Sequence, residues 1–275
     1  MAREAELTLD SVLQKISAKE LIGAELQDSQ LIYSVVGFLP ASDFADNALL
    51  ISNISYILAQ KGLNTCVIDL KVFYPNLYQF LDTKPNKRGH GLLKLLKSDK
   101  VDYREEILQT KYERLFLLSP SPHDLIEEYL DFEFEHLERV ITSVKNMFDI
   151  VLIDIPNIPP LEFCLGAMKY CHIGFLTASE RIEASINMTK LLDFAASIGI
   201  STSKFKSVIM MNLQNIDYDY ESLKDLGFQI VAALPLVKAA NASPMEGSLY
   251  IKDTSLINKQ FRKEIRKLAD LLANQ

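Results

Sequence analysis

Short apolar runs alternate along the chain with stretches whose apolar positions recur at helical spacing. The first strand is predicted at Leu31–Phe38, the helix after it at Asn47–Gln60 and the second strand at Thr65–Leu70. Lys61-Gly62 closes that helix with the glycine that helix ends commonly take. GLLKLLKSD and YREEILQT read as short helices, and Leu115–Leu118 as a strand ending in the proline-rich SPSP turn. An amphipathic helix follows over Phe132–Met147. FDIVLIDIP is the most apolar strand and has the doubly buried pattern of a central parallel strand. HIGFLTAS, FKSVIMMNL and FQIVAALPL are the remaining strands. Ala184–Ile198, ESLKDLG and a tail over Ile257–Leu272 are the remaining helices. This alternation predicts an α/β fold, a mostly parallel central sheet with helices on both faces. Residues 1–29 precede the first strand, with partly helical apolar spacing at Leu9, Val12, Leu13, Ile16, Leu21 and Ile22. They are expected to form a helical arm ahead of one domain at residues 30–275.

Composition adds boundaries. A chain of 275 residues with 48% hydrophobic content fits one large α/β domain with a short extension. A net charge of −7 argues against a globally basic nucleic-acid binder. Cys66, Cys164 and Cys171 lack the paired spacing of a metal site and read as buried thiols. The first residues, MAREAELTLDSV, have no apolar signal core, and no apolar run reaches the roughly 18 residues that cross a bilayer. The expected compartment is the cytoplasm.

The loop between the first strand and its helix, LPASDFADNALL, sits where parallel α/β proteins usually bind phosphate. It has the position without the chemistry: no glycine follows Gly37 and no lysine precedes Lys61, while Asp43 and Asp46 add negative charge. Five places then resemble, over residues 31–272, the ParA/MinD-type ATPases with a deviant Walker A loop. VVGFLPASDFADNALLISNISYILAQKG fits the frame of strand, K-G-G-x-G-K-T-T and helix without a gap, and Asn53 falls where the family has a helix asparagine. VIDLKVFYPNLYQFLD resembles the D-x-D block with its N-L pair, FDIVLIDIPNIPP the F-D-Y-V-L-I-D-T-P-P-G block. VIMMNLQN and LPLVKAANASPMEGSLYI match two later blocks. GLLKLLKSDKVDYREEILQT followed by YERLFLLSPSPHD is similar to the pilus-assembly branch called CpaE or TadZ, without that branch's receiver-like domain.

In the register of that resemblance, Ser42 replaces the deviant lysine, Asp43, Phe44 and Asp46 replace glycines, Asn47 replaces the main phosphate lysine, and Ala48 replaces the magnesium-binding hydroxyl. Asp69 is kept, but Lys71 stands where the family has the acid that orients the attacking water. Asp154 is kept, and Ile158 replaces the glycine that contacts the γ-phosphate. Asn212 matches an asparagine that contacts adenine.

A phosphate loop aims backbone N–H groups at phosphate oxygens, with glycines permitting close approach, a lysine neutralising charge and a hydroxyl on magnesium. Each is replaced here. An acid about 4 Å from a phosphate charge is opposed by roughly 4 kcal/mol at an effective dielectric of 20. The resemblance therefore implies a pseudo-ATPase with no catalytic residue, no cofactor and no metal, in which Asp69 and Asp154 cap neighbouring N–H groups at strand ends. The function expected is localisation or scaffolding in a bacterial pilus, secretion or motility machine. The alternative is a divergent active ATPase, binding ATP and magnesium, in positioning or DNA partition. Protein partners are expected, with a homodimer or a heterodimer with an active relative, in which Lys71 could meet Asp43 or Asp46 across the interface. No nucleic acid is expected. Lys84, Lys87 and Arg88 form a basic loop, and Arg262, Lys263, Arg266 and Lys267 form the basic face of the tail helix. Both are candidate contacts to a partner or, peripherally, to the inner face of the cell membrane. For the tail helix the favoured reading is packing on the sheet.

Overall fold

The computed structural model describes residues 33–41, 47–130, 132–158, 160–180, 182–215, 221–238, 249–252 and 258–274. The arm at residues 1–29, with Ser42, Asp43, Phe44 and Asp46, lies outside them. In chain order the described elements are β1 (Val35–Pro40), α1 (Asn47–Gln60), β2 (Thr65–Asp69), α2 (Leu77–Phe80), α3 (Leu92–Lys97), α4 (Tyr103–Glu106), β3 (Leu108–Gln109), β4 (Leu115–Leu118), α5 (Phe134–Lys145), β5 (Ile150–Asp154), α6 (Leu161–Tyr170), β6 (Ile173–Ala178), α7 (Ile182–Ser197), β7 (Ser207–Leu213), α8 (Glu221–Asp225), β8 (Gln229–Pro235) and α9 (Lys259–Ala273). Short 3₁₀ turns occupy Ile126–Tyr129 and Tyr250–Lys252. The strands form one eight-stranded sheet in the order β3-β4-β2-β5-β1-β6-β7-β8, parallel except for the β3–β4 pair.

The innermost strands are buried throughout, and mostly apolar, because helices cover both sides of them. On one face, Val35, Cys66, Ile68, Val151 and Ile153 share a core with buried residues of α3, α5, α6 and α7. On the other lies α1, buried from Asn47 to Ala59 except at Tyr56, as befits a helix caught between a sheet and a second helix. That second helix is α9, which buries Phe261, Ile265, Leu268 and Leu272 against α1 and β8. Its start is fixed locally: the Asn258 side chain accepts from Gln260 N at 2.9 Å and Phe261 N at 3.2 Å. Phe261 packs edge-on against Tyr250, 5.2 Å between centroids. Asn53 accepts from Ile251 N at 2.8 Å, which ties the 250–252 turn to α1.

The parallel α/β architecture agrees with the sequence reading, and three local readings are corrected. YREEILQT is helical only over Tyr103–Glu106; Leu108–Gln109 instead pairs antiparallel with the free edge of β4. The first strand runs over Val35–Pro40 instead of Leu31–Phe38, because pairing with β6 begins at Val36 and still joins Leu39 and Pro40 to Leu176 and Thr177. The amphipathic helix begins at Phe134 rather than Phe132, whose ring packs on Phe163 at 4.3 Å. YPNLYQFLD, unassigned from sequence, contains α2.

The three thiols are buried, and burial pushes them up, Cys164 to about 12 and Cys171 to about 11. Burial, with Lys145 and Lys204 nearby, lowers His172 to about 4 and keeps it neutral as an acceptor for Val35 N. Among the described residues, no helix is long and apolar enough to cross a membrane.

Gly174 in β6 lies under the ring of Phe205, where an added Cβ would stand 2.1 Å from a ring carbon. Gly174→Ala is therefore expected to cost about 1–3 kcal/mol by overpacking. Urea denaturation reads this; an unchanged midpoint would contradict the packing described.

Candidate functional site

The carboxyl ends of the central strands meet at one level because of the register. Asp69 of β2 pairs directly with Asp154 of β5, and Phe38 of β1 lies beside Asp154 on the other side. The chain thus holds two wholly buried carboxylates on adjacent strands, about 5 Å apart in backbone spacing.

Their partners differ. Asp69 accepts from Lys71 N at 2.9 Å, Asn76 N at 3.2 Å and Leu77 N at 3.3 Å. It holds the loop after β2 and the first N–H groups of α2, the capping role expected from the sequence. Asp154 faces side chains. Its Oδ2 lies 2.6 Å from Lys71 Nζ, and its Oδ1 accepts from Asn47 Nδ2 at 3.3 Å. The same amide donates to Phe38 O at 3.1 Å, and its oxygen accepts from the Thr177 hydroxyl at 2.6 Å. Lys71, Asp154, Asn47 and Thr177 therefore form one chain of contacts across β2, β5, α1 and β6. Lys71 pairs within the chain with Asp154; Asp43 and Asp46, its expected partners across an interface, lie outside the described residues.

One ammonium serves two buried carboxylates. Burial raises both acids; Lys71 opposes the rise, and the neighbouring Asp69 pushes Asp154 further, to about 6. A group whose folded value is raised favours the folded state below its unfolded value of 3.8 and loses that benefit as pH rises through about 6.

In the register of the sequence resemblance, magnesium nucleotide would call for a cation at 47, a hydroxyl at 48 and a carboxylate at 71. The residues present do not fit it. Asn47 is neutral, buried and engaged through both amide atoms; Ala48 is buried and has no hydroxyl. Lys71 carries the wrong sign for orienting water and lies against Asp154. Ile158 is half-buried in the loop after β5. Among the described residues no group of three or more His, Cys, Asp or Glu could hold a metal ion.

Other sequence candidates fall elsewhere. Asn212 is the penultimate residue of β7, with φ +56° in an irregular stretch of the β7–β8 ladder, and asparagine tolerates that backbone. Lys84, Lys87 and Arg88 are exposed, on a loop whose backbone is firmly held. Gly89 N donates to Asp124 at 2.7 Å and Gly91 N to the buried Glu106 at 2.7 Å, while Ser121 donates to Asn86 O at 2.7 Å. Gly91 has φ +66° and lies so close to Ser119 O that a Cβ would stand 2.4 Å away. Lys263, Arg266 and Lys267 project from α9 away from its buried face, with Arg262 half-buried. Thr177 was missed from sequence, although a hydroxyl inside the apolar run HIGFLTAS was its visible trace.

No protein-family model and no curated protein sequence matches the chain. Solved structures do match in fold. The cell-division ATPase MinD of Pyrococcus furiosus superposes with a TM-score of 0.72 at 19% identity, covering 88% of this chain and 99% of that one. MinD in the MinC:MinD cell-division complex of Aquifex aeolicus gives 0.72 at 16% identity, covering 88% and 96%. A ParA-family ATPase of Chlorobium tepidum gives 0.72 at 16%, covering 88% and 98%. The chain has the P-loop fold of the MinD and ParA ATPases.

Removing the lysine should expose the cost of the two acids. Lys71→Met is expected to lose about 3–5 kcal/mol near pH 8, the usual penalty for stranding a buried charge. The loss should shrink at pH 5, where Asp154 takes up a proton, and Asp154→Asn added to Lys71→Met should recover part of it. Urea denaturation at the two pH values checks this, and a pH-independent deficit would count against the pairing.

Proposed function

We propose that this chain is a pseudo-ATPase of the MinD/ParA fold that works as a localisation or scaffolding protein for a bacterial surface or motility machine of pilus or secretion type. The observation that carries the inactive reading is the Lys71–Asp154 pair at 2.6 Å, extended by Asn47 to Thr177. Three positions where the fold's ATPases place a cation, a hydroxyl and an acid hold Asn47, Ala48 and Lys71. Two of these side chains are engaged with the chain itself, and the third has nothing to offer a metal. A nucleotide phosphate placed there would compete with Asp154 for Lys71 and Asn47.

A fold kept intact around such a cleft serves through its surfaces. The Aquifex aeolicus MinD of the same fold is seen in complex with a protein partner, MinC, which supports partner binding as the use of this scaffold. The resemblance of residues 91–124 to the CpaE/TadZ branch supports a pilus or secretion machine. The chain pairs with itself or with an active relative, without a nucleotide switch. Membrane contact, where it occurs, is peripheral and electrostatic, because the apolar face of α9 is used internally.

Calorimetric titration with magnesium-ATP is expected to give no binding heat up to about millimolar nucleotide, and phosphate release should not exceed background. Binding near 1 μM, worth about 8 kcal/mol, would overturn the inactive reading. Crosslinked pull-down from the source bacterium should retain pilus or secretion components equally with and without ATP. Recovery of DNA-partition components alone would refute the machine assignment.

A further inference from the structure

The outer face of α9 carries a row of cations. Lys259, Arg262, Lys263, Arg266 and Lys267 recur at steps of three and four, so they line one side of the helix over about 16 Å together with Asp270. They border an open groove of about 510 Å³. Several basic side chains elsewhere in the fold are matched: Lys61 with Asp270, Lys71 with Asp154, Lys94 with Glu106, Arg139 with Asp99. On α9, Lys267 reaches Val231 O and the edge of Glu264. Among the described residues Lys259, Arg262, Lys263 and Arg266 make no ion pair, and the buried Arg262 Nε has no hydrogen-bond partner. Like charges at these steps repel and destabilise a helix, which an acidic surface laid along the row would relieve.

The fold presents such a surface on the other side of the sheet. Glu133, Glu135 and Glu138 on and before α5, and Glu162 at the start of α6, are exposed. Lys169 lies near Glu135 and Glu138 and offsets part of that charge. Among these acids stand two exposed leucines, Leu130 at 60% and Leu161 at 39%. They flank the packed rings of Phe132 and Phe163. Acids around an apolar centre suit the side chains of α9, whose aliphatic stems can cover leucine while their heads meet carboxylates.

We propose that the cationic row of α9 docks on the α5–α6 face of a second copy of the chain. α9 packs on α1 and β8, whereas α5 and α6 belong to the core on the opposite sheet face. One molecule therefore cannot join its own two faces, and the contact is heterologous, running head to tail into a ring or an open row. Each copy contributes one acidic and one basic face to a chain that otherwise repels itself at net charge −7. The proposal does not rest on the state of the nucleotide site.

Sedimentation velocity on the full chain across a concentration series, at low and high salt, tests this. Wild type is expected to associate with rising concentration at low salt and to dissociate at high salt. Lys263→Glu with Arg266→Glu, or Glu135→Lys with Glu138→Lys, should each weaken association at least about tenfold. All four positions are exposed, and circular dichroism melts verify that both variants fold. Mixing the two charge-reversed variants should restore association, because each then offers the other complementary faces. A wild type that stays monomeric at low salt, or a mixture that fails to associate, would overturn the proposal. So would binding of DNA or of phosphatidylglycerol vesicles that needs Lys263 and Arg266 while the chain stays monomeric, since the row would then belong to that ligand.

Discussion

A buried carboxylate must find a partner or give up its charge, and in this fold two of them stand side by side at the carboxyl end of a parallel sheet. Lys71 is the counter-charge that lets both remain there. It comes from the loop directly after β2, so it reaches Asp154 without distorting either strand. Asp69 meanwhile spends its oxygens on three backbone N–H groups of the same loop, which fixes the lysine's own starting point. Position and charge are thus set by one short segment, residues 69–77, and the cleft around Asp154 follows from it. Asn47 completes the arrangement with a neutral amide that bridges β1, β5 and β6.

Much of this could be read in the sequence, for reasons that are local. Alternation of apolar runs with helical spacing identified the α/β class, and Asp69, Asp154 and Asn47 stood out as site positions through the resemblance of their segments to the ATPase blocks. What could not be read was pairing. The partner of Lys71 depends on which strands become neighbours and in what register, and a sequence does not state either. Thr177 was hidden for the same reason: its role exists only once β6 lies beside β1. Leu108–Gln109 was read as helix because its neighbours have helical character, yet the open edge of β4 claimed its backbone. Phe132 left the helix pattern for the ring of Phe163.

The tail helix shows the opposite case, where a strong local pattern was right about structure and open about use. Its amphipathic spacing fits both a membrane surface and an internal packing face. Phe261, Ile265, Leu268 and Leu272 go to the protein core, which leaves Lys259, Lys263, Arg266, Lys267 and Asp270 facing outward. A cleft in which Lys71 meets Asp154, a sheet covered on both faces and a cationic outer face on α9 are the features on which the proposed scaffolding role rests.

The central claim is that Lys71 is committed to Asp154 and stays there when nucleotide is offered. Nitrogen-15 NMR of the Lys71 ammonium, with and without magnesium-ATP, tests this most directly. The account predicts a slowly exchanging ammonium signal that is lost in Asp154→Asn and does not move on addition of ATP. A signal that exchanges freely with water, or one that shifts as ATP is titrated, would contradict it.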